Sequence, residues 1–122
     1  MSQVTKVTVS ITSETAVAEA CKTLKLETPQ RGTAQFYDGT KHEGLIVKLQ
    51  GWNYPIVVDT EKGEIYLDDF KGHWGEKAHY NKFIQRCRVE EFKEKAKKDN
   101  YYTIKEDEVG DSIKFTVDIQ SY

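Results

Sequence analysis

The sequence predicts a single α+β domain over residues 1–122, with an antiparallel β-sheet covered on one face by two helices. Three observations predict this class. A short strand pattern leads into an amphipathic helix pattern, closely spaced strand patterns fill residues 30–67, and a long helix pattern precedes a terminal hairpin. A chain of 122 residues is long enough to bury one core without metals or disulfides.

The first two elements are a strand and a capped helix. Residues 6–11 alternate polar and apolar side chains, and this period of two indicates a strand with one buried face. Ser13 offers a hydroxyl as a helix cap, and the apolar residues that follow recur at helical spacing. We expect the helix to end near Leu26, before Pro29.

The middle of the chain predicts an antiparallel meander. Asp38-Gly39 and Glu61-Lys62-Gly63 are turn signals, and the runs between such signals are short and β-rich. Consecutive strands with such short connections pair with their neighbours in antiparallel fashion. Strands are expected at residues 30–39, 45–49, 54–58 and 64–67.

A second helix is predicted from Lys77 to Lys98. Its apolar stripe shifts by about one position in the middle, and a bend near Val89 would explain the shift. A hairpin follows, with strands at residues 102–105 and 113–119 on either side of Gly110. The stripe of the helix comprises Tyr80, Phe83, Ile84, Cys87, Phe92 and Ala96.

Composition restricts the classes of partner. The formal net charge is -2, so no global attraction to nucleic acid or anionic lipid is expected. The N-terminal residues lack the pattern of a signal peptide, and no apolar run approaches 20 residues. We therefore expect a cytoplasmic protein, or one of the plastid stroma.

The two cysteines, Cys21 and Cys87, each occupy an apolar position of a predicted helix. We expect both to be small buried hydrophobic residues. A disulfide between the helices is the alternative, although the expected compartment is reducing.

The residue order also carries a family resemblance. Arg31-Gly32, the acidic Asp68-Asp69-Phe70 and the segment Phe83-Ile84-Gln85-Arg86 precede a terminal Asp111-Ser112-Ile113-Lys114-Phe115. In this order the chain resembles the hypothetical chloroplast open reading frame thirty-five family of cyanobacteria and algal plastids, whose function is unknown. The chain departs from the family at Cys87 and at its first residues, as a divergent phage or metagenomic member would. The resemblance implies the fold and no activity.

The loop at residues 68–79 holds the densest set of reactive side chains. Asp69, His73 and His79 are a weak candidate for a metal site, but their spacing matches no standard motif. His79 and Cys87 lie eight residues apart on one helix, a rise of about 12 Å, which is too far for a catalytic pair. The chain has neither a nucleophile elbow nor a phosphate loop, so we expect no catalytic residues and no cofactor.

The second helix also offers a basic face, which is the basis of a nucleic-acid-binding alternative. Glutamates interleave with these cations, and Glu91 to Lys95 and Glu94 to Lys98 have the spacing of favourable ion pairs. A solvated helix surface is therefore the preferred interpretation. The candidate contacts to nucleic acid are Lys82, Arg86, Arg88 and Lys93.

The function predicted from these observations is a small, non-enzymatic module that binds another protein. The uncovered face of the sheet and any unpaired edge strand are the natural places for a partner, by patch contact or by strand addition. Aromatic residues near strand ends and in the 68–79 loop are the candidate anchors. The residues expected to contact a partner are Trp52, Tyr54, His73, Trp74 and Arg86.

Overall fold

Five antiparallel strands form the main sheet, and the two helices pack on one of its faces, which confirms the predicted α+β class. The computed structural model describes residues 4–36, 38–68, 77–98, 101–110 and 112–119. The elements in chain order are β1 (Thr5–Thr8), α1 (Glu14–Thr23), β2 (Gln30–Gln35), β3 (Lys41–Val47), β4 (Ile56–Asp59), β5 (Glu64–Leu67), α2 (Lys77–Lys98), β6 (Tyr101–Val109) and β7 (Ser112–Ile119).

The strand order of the main sheet is β1-β5-β4-β3-β2, with every pair antiparallel. The meander predicted for the middle of the chain is confirmed as β2 to β5. The N-terminal strand β1 joins the sheet beside β5 rather than beside β2. Among the described strands, β1 and β2 are therefore the two edges.

The strand boundaries differ from the prediction where local sequence is a poor guide. β3 begins at Lys41, because pairing with β2 extends into a polar segment that has little strand propensity of its own. β4 begins at Ile56, directly after Pro55, which has no N–H to donate. β6 continues through the acidic residues 106–108 for the same reason as β3, since each of them has a partner on β7.

The main core lies between the helices and one face of the sheet. Val17 and Cys21 of α1 and Phe83 and Cys87 of α2 are fully buried there, together with residues of all the strands from β3 to β5. Ser13 caps α1 as predicted, because its Oγ accepts a hydrogen bond from the Ala16 N–H at 3.1 Å. The core thus explains the apolar period of both helices.

The opposite face of the sheet is less polar than a solvated face should be. Val57 is fully buried on that side, and Ala34 and Phe36 pack with it as a smaller cluster. β4 is buried on both faces, as its run of three apolar residues allows.

α2 has the bounds predicted from sequence and is buried on two sides. Val89 and Ala96 are seven residues apart, on one face, and their exposed fractions are 3% and 1%. Cys87 lies roughly on the opposite face, toward the main core. Phe92 of the predicted stripe is 37% exposed, so the stripe was wrong at that position, and the second buried face consists of Val89 and Ala96 instead. The strand β6 contacts α2.

The terminal hairpin is confirmed, and it forms a sheet of its own. β6 and β7 pair with each other across Gly110, which has a φ of 62°. In the described part of the chain neither strand joins the main sheet.

Candidate interaction surface

The edge strand β2 presents backbone groups that the main sheet does not use. The Phe36 N–H donates to the Thr40 carbonyl at 2.9 Å, and this rung continues the β2–β3 register, in which Gln35 faces Lys41. In antiparallel pairs the residues that bond to the neighbour alternate with residues whose N–H and C=O point away. Because Phe36 bonds to β3, Gly32 and Ala34 do as well, whereas Arg31, Thr33 and Gln35 direct their backbone groups outward.

Within its own sequence and register, β2 lacks the lysine, proline or bulge with which proteins often protect an edge. The strand contains no lysine or proline, and its register against β3 has no bulge. Its single charge, on Arg31, is paired with the carboxylate of Glu14 on α1. The side chains at 31, 33 and 35 lie on the helix side of the sheet by register, and all three are exposed.

The other edge is shorter and carries a charged side chain. β1 has four residues, and its Lys6 lies 3.8 Å from the carboxylate of Glu64 on β5. A lysine and a short length are both typical of a protected edge. Among the described residues, β2 is therefore the less protected of the two edges of the main sheet.

A shallow polar pocket lies next to β2. Its volume is about 360 Å³, and its lining includes Arg31, Lys41, Asp59, Lys62 and Gly44. Gly44 is required there, because a Cβ atom at this position would lie 2.6 Å from the Val58 carbonyl oxygen. The pocket mixes charges of both signs, so it has no clear preference for an anion or a cation.

Three rings border this pocket and the smaller apolar cluster. His42 stacks on Tyr66 with ring centroids 4.0 Å apart and an interplanar angle of 15°. Phe36 also packs against His42, with ring centroids 5.5 Å apart and an interplanar angle of 59°. Sequence reasoning missed His42 and Tyr66, because their contact depends on strand order. The alternation of His42, Gly44 and Ile46 along one strand face was the available signal.

Two of the four predicted aromatic anchors, Trp52 and Tyr54, lie among the described residues. Trp52 packs partly buried against the main core, with its ring 6.3 Å from that of Tyr80. Tyr54 is half-buried. The predicted anchors His73 and Trp74 lie outside the described residues. Trp52 is therefore a core-contacting residue as well as a candidate partner contact.

Arg86 is engaged within its own helix. Its Nη2 and Nε donate to Glu90 Oε1 at 2.6 and 3.0 Å, and the two side chains are only 13% and 12% exposed. Lys93 lies 3.8 Å from the same carboxylate oxygen. Glu90 thus offsets the positive charge of two of the proposed nucleic-acid contacts.

The remaining two cations of the proposed nucleic-acid surface are exposed but point in different directions. Lys82 shares a helix stripe with Arg86, four residues on, whereas Arg88 lies about 120° away around the helix. The four residues therefore do not form one continuous basic face.

Two glutamates of α2 bind the N-terminus of α1 rather than the lysines predicted from sequence. Glu94 Oε2 accepts from Ser13 Oγ at 2.7 Å, and Glu94 Oε1 accepts from Thr15 Oγ1 at 2.5 Å. Glu91 Oε2 accepts from the Thr12 N–H at 3.1 Å. The sequence predicted pairs of these glutamates with Lys95 and Lys98 instead. Local spacing could not predict the contacts to α1, because they depend on how one helix packs against the other.

Of the three candidate metal ligands, only His79 lies among the described residues. Asp69 and His73 lie outside the described residues, and His79 is half-buried in the first turn of α2. Among the described residues, no group of three histidine, cysteine or carboxylate side chains is placed to hold a metal ion. The loop alternative stays a prediction.

The cysteines are free and fully buried, as the preferred interpretation expected. Burial raises the pKa of the Cys21 thiol from 9.0 to about 11. Burial also raises the pKa of the Cys87 thiol, and the neighbouring Cys21, Glu91 and Glu90 add to the effect. Thiols held in the protonated form are poor nucleophiles, so neither residue has the setting of a reactive cysteine.

No protein-family model, curated protein or solved structure matches the chain. The resemblance to the plastid and cyanobacterial family therefore stays a prediction. In the described residues, no helix is both long and apolar enough to cross a membrane.

Proposed function

We propose that the protein is a non-enzymatic interaction module that binds another protein by accepting an extended segment of it as an additional strand beside β2. The observation that carries the proposal is the outward-facing backbone of Arg31, Thr33 and Gln35 on an unprotected edge. The compartment that we propose is the cytoplasm or a plastid stroma, where the free thiols would stay reduced.

Strand addition uses the backbone for affinity and alternate side chains for selectivity. An added strand beside β2 would pair with three residues whose N–H and C=O groups point away from β3. Its side chains on one face would adjoin Arg31 and Thr33, and those on the other face would adjoin Gly32 and Ala34.

The test separates the backbone N–H at position 33 from the side chain. The Thr33→Pro substitution removes the outward N–H and puts a ring where the partner strand would lie, but it spares the bonds from β2 to β3. The Thr33→Val substitution keeps the N–H and the branched shape, so it is the matched control. Both variants should unfold near the wild-type denaturant midpoint.

The assay is affinity capture from a lysate of the source organism, with and without nuclease, and quantitative mass spectrometry of the bound proteins. We expect wild type and Thr33→Val to retain the same stoichiometric partner and Thr33→Pro to lose it at least tenfold. Retention of the partner by folded Thr33→Pro would contradict strand addition. Capture that disappears with nuclease would instead favour the nucleic-acid alternative.

A further inference from the structure

We propose that, when no partner is bound, the edge is occupied by β2 of a second copy of this chain, paired antiparallel in the register centred on Thr33. This inference rests on the proposed function only in that both use the same edge. It adds a form of regulation, because a partner would have to displace the second copy.

The alternation of backbone groups selects the register. Two copies can bond only where outward-facing residues meet outward-facing residues, namely Arg31, Thr33 and Gln35 of each. Centring the pair on Thr33 uses all three residues in both copies. Thr33 then faces Thr33 of the second copy, and Arg31 faces Gln35 of the second copy.

The side chains in this register are compatible on both faces. No like charges meet, because the single charged residue of each β2 faces a glutamine. A threonine pair across two strands is favourable. On the other face Gly32 lies opposite Ala34 of the second copy, so no bulky side chains of β2 meet there.

The charge on Arg31 would not oppose association. Glu14 of the same copy holds this guanidinium in an ion pair on the helix side of the sheet. The two-fold axis runs through Thr33, perpendicular to the sheet, so both copies keep their helices on the same face. The two five-stranded sheets would become one continuous sheet.

The expected association is weak and reversible. A pairing through one six-residue strand buries far less surface than the roughly 1,600 Å² of a standard stable interface. A contact of this size forms at high protein concentration and yields to a partner with better side-chain contacts. The dimer is therefore a reversible state in which β2 stays paired until a partner binds, rather than an obligate assembly.

Position 33 offers a test that is specific to this register, because it is the one position of β2 that lies opposite the same residue of the second copy. Thr33→Lys alone puts two lysines opposite each other in the dimer, and Thr33→Glu alone puts two glutamates there. A mixture of the two variants places a lysine opposite a glutamate. Thr33→Gln is the neutral control of similar size.

Sedimentation velocity on the full chain over a concentration series should show a monomer–dimer equilibrium for wild type and Thr33→Gln. We expect the dissociation constant to rise about fivefold for each charged variant and to fall below those values in the mixture. Native mass spectrometry of the mixture should show more heterodimer than the statistical half. Because Glu43 faces position 33 on β3, denaturant unfolding of Thr33→Glu is checked first. Should that variant fail to fold, the dissociation constants of the Thr33→Lys and Thr33→Gln dimers are compared instead, and a higher value for Thr33→Lys is the expected result.

Wild type that stays monomeric at millimolar concentration would overturn the proposal, as would charged variants that dimerise like Thr33→Gln. The mixture overturns this register if it forms only statistical heterodimer. These results are separate from the proposed function: monomeric Thr33→Lys that still captures the partner would leave strand addition intact. If Thr33→Pro loses the partner while wild type stays monomeric at every concentration, the dimer is refuted and strand addition stands.

Discussion

The carboxylate of Glu94 on α2 holds the first turn of α1, so removing it should loosen the docking of the two helices. In Glu94→Ala, the hydroxyls of Ser13 and Thr15 lose a shared acceptor at 2.7 and 2.5 Å. The negative charge at the positive end of the α1 dipole is lost as well. We expect the free energy of unfolding to fall.

The expected loss follows from the two contributions. A hydrogen bond to a charged group contributes about 1.5–3 kcal/mol when it is shielded from water. The side chains of Glu94 and Thr15 are exposed, so solvent weakens both bonds and we expect about 0.5–1.5 kcal/mol from the two together, with about 0.5 kcal/mol more from the dipole. The sum is about 1–2 kcal/mol, which corresponds to a drop in Tm of about 4–8 °C for a chain of this size.

The assay is urea unfolding at low and at high salt, combined in a cycle with Ser13→Ala. The single Ser13→Ala change should cost about 1 kcal/mol through the lost cap, and the coupling between the two sites should be about 0.5–1 kcal/mol. Glu19→Ala, at an exposed position of α1, is the charge control and should change stability by less than about 0.5 kcal/mol. A coupling indistinguishable from zero would refute the capping role of Glu94.

Three further predictions follow from buried or crowded groups. Gly44→Ala should cost about 1–3 kcal/mol in urea unfolding, because its Cβ would lie 2.6 Å from the Val58 carbonyl oxygen; an unchanged midpoint would contradict this close approach. Glu90→Ala should cost about 1–3 kcal/mol, because it removes the two charge-assisted hydrogen bonds that the poorly exposed Arg86 donates to Glu90, and a loss under about 0.5 kcal/mol would disprove that role. The pKa of Cys21 is raised from 9.0 to about 11 in the folded protein, so stability should be complete below pH 9 and fall by about 2–3 kcal/mol as pH rises to 11. A Cys21→Ala variant should show a shallower alkaline decline, and equal slopes would show that Cys21 does not contribute.

Local sequence predicted the elements well where periodicity was strong. The bounds of α2 and β5, and the cap at Ser13, follow from side-chain spacing and hydrogen-bonding chemistry within a few residues. The start of β3 at Lys41 could not be predicted in this way, since it depends on pairing with β2 across the turn at Asp38 and Gly39.

The candidate surface depends on relations between distant residues. That β2 is an edge follows from the position of β1, which pairs with β5 at the far side of the sheet. The outward direction of the Thr33 backbone depends on the phase of hydrogen bonding, which no composition or period reveals. Arg86 was predicted as a contact to a partner or to nucleic acid, and its pairing with Glu90 was overlooked, although their spacing of four residues was recognisable in the sequence.

Amide hydrogen exchange of β2, followed by NMR, tests the central claim most directly. In dilute, partner-free protein we predict fast exchange at Arg31, Thr33 and Gln35 and slow exchange at Gly32 and Ala34. Raising the protein concentration, or adding a captured partner, should slow the first set and leave the second unchanged. Uniform exchange along the strand, or protection of Thr33 in the dilute protein, would contradict an open edge with outward-facing backbone groups.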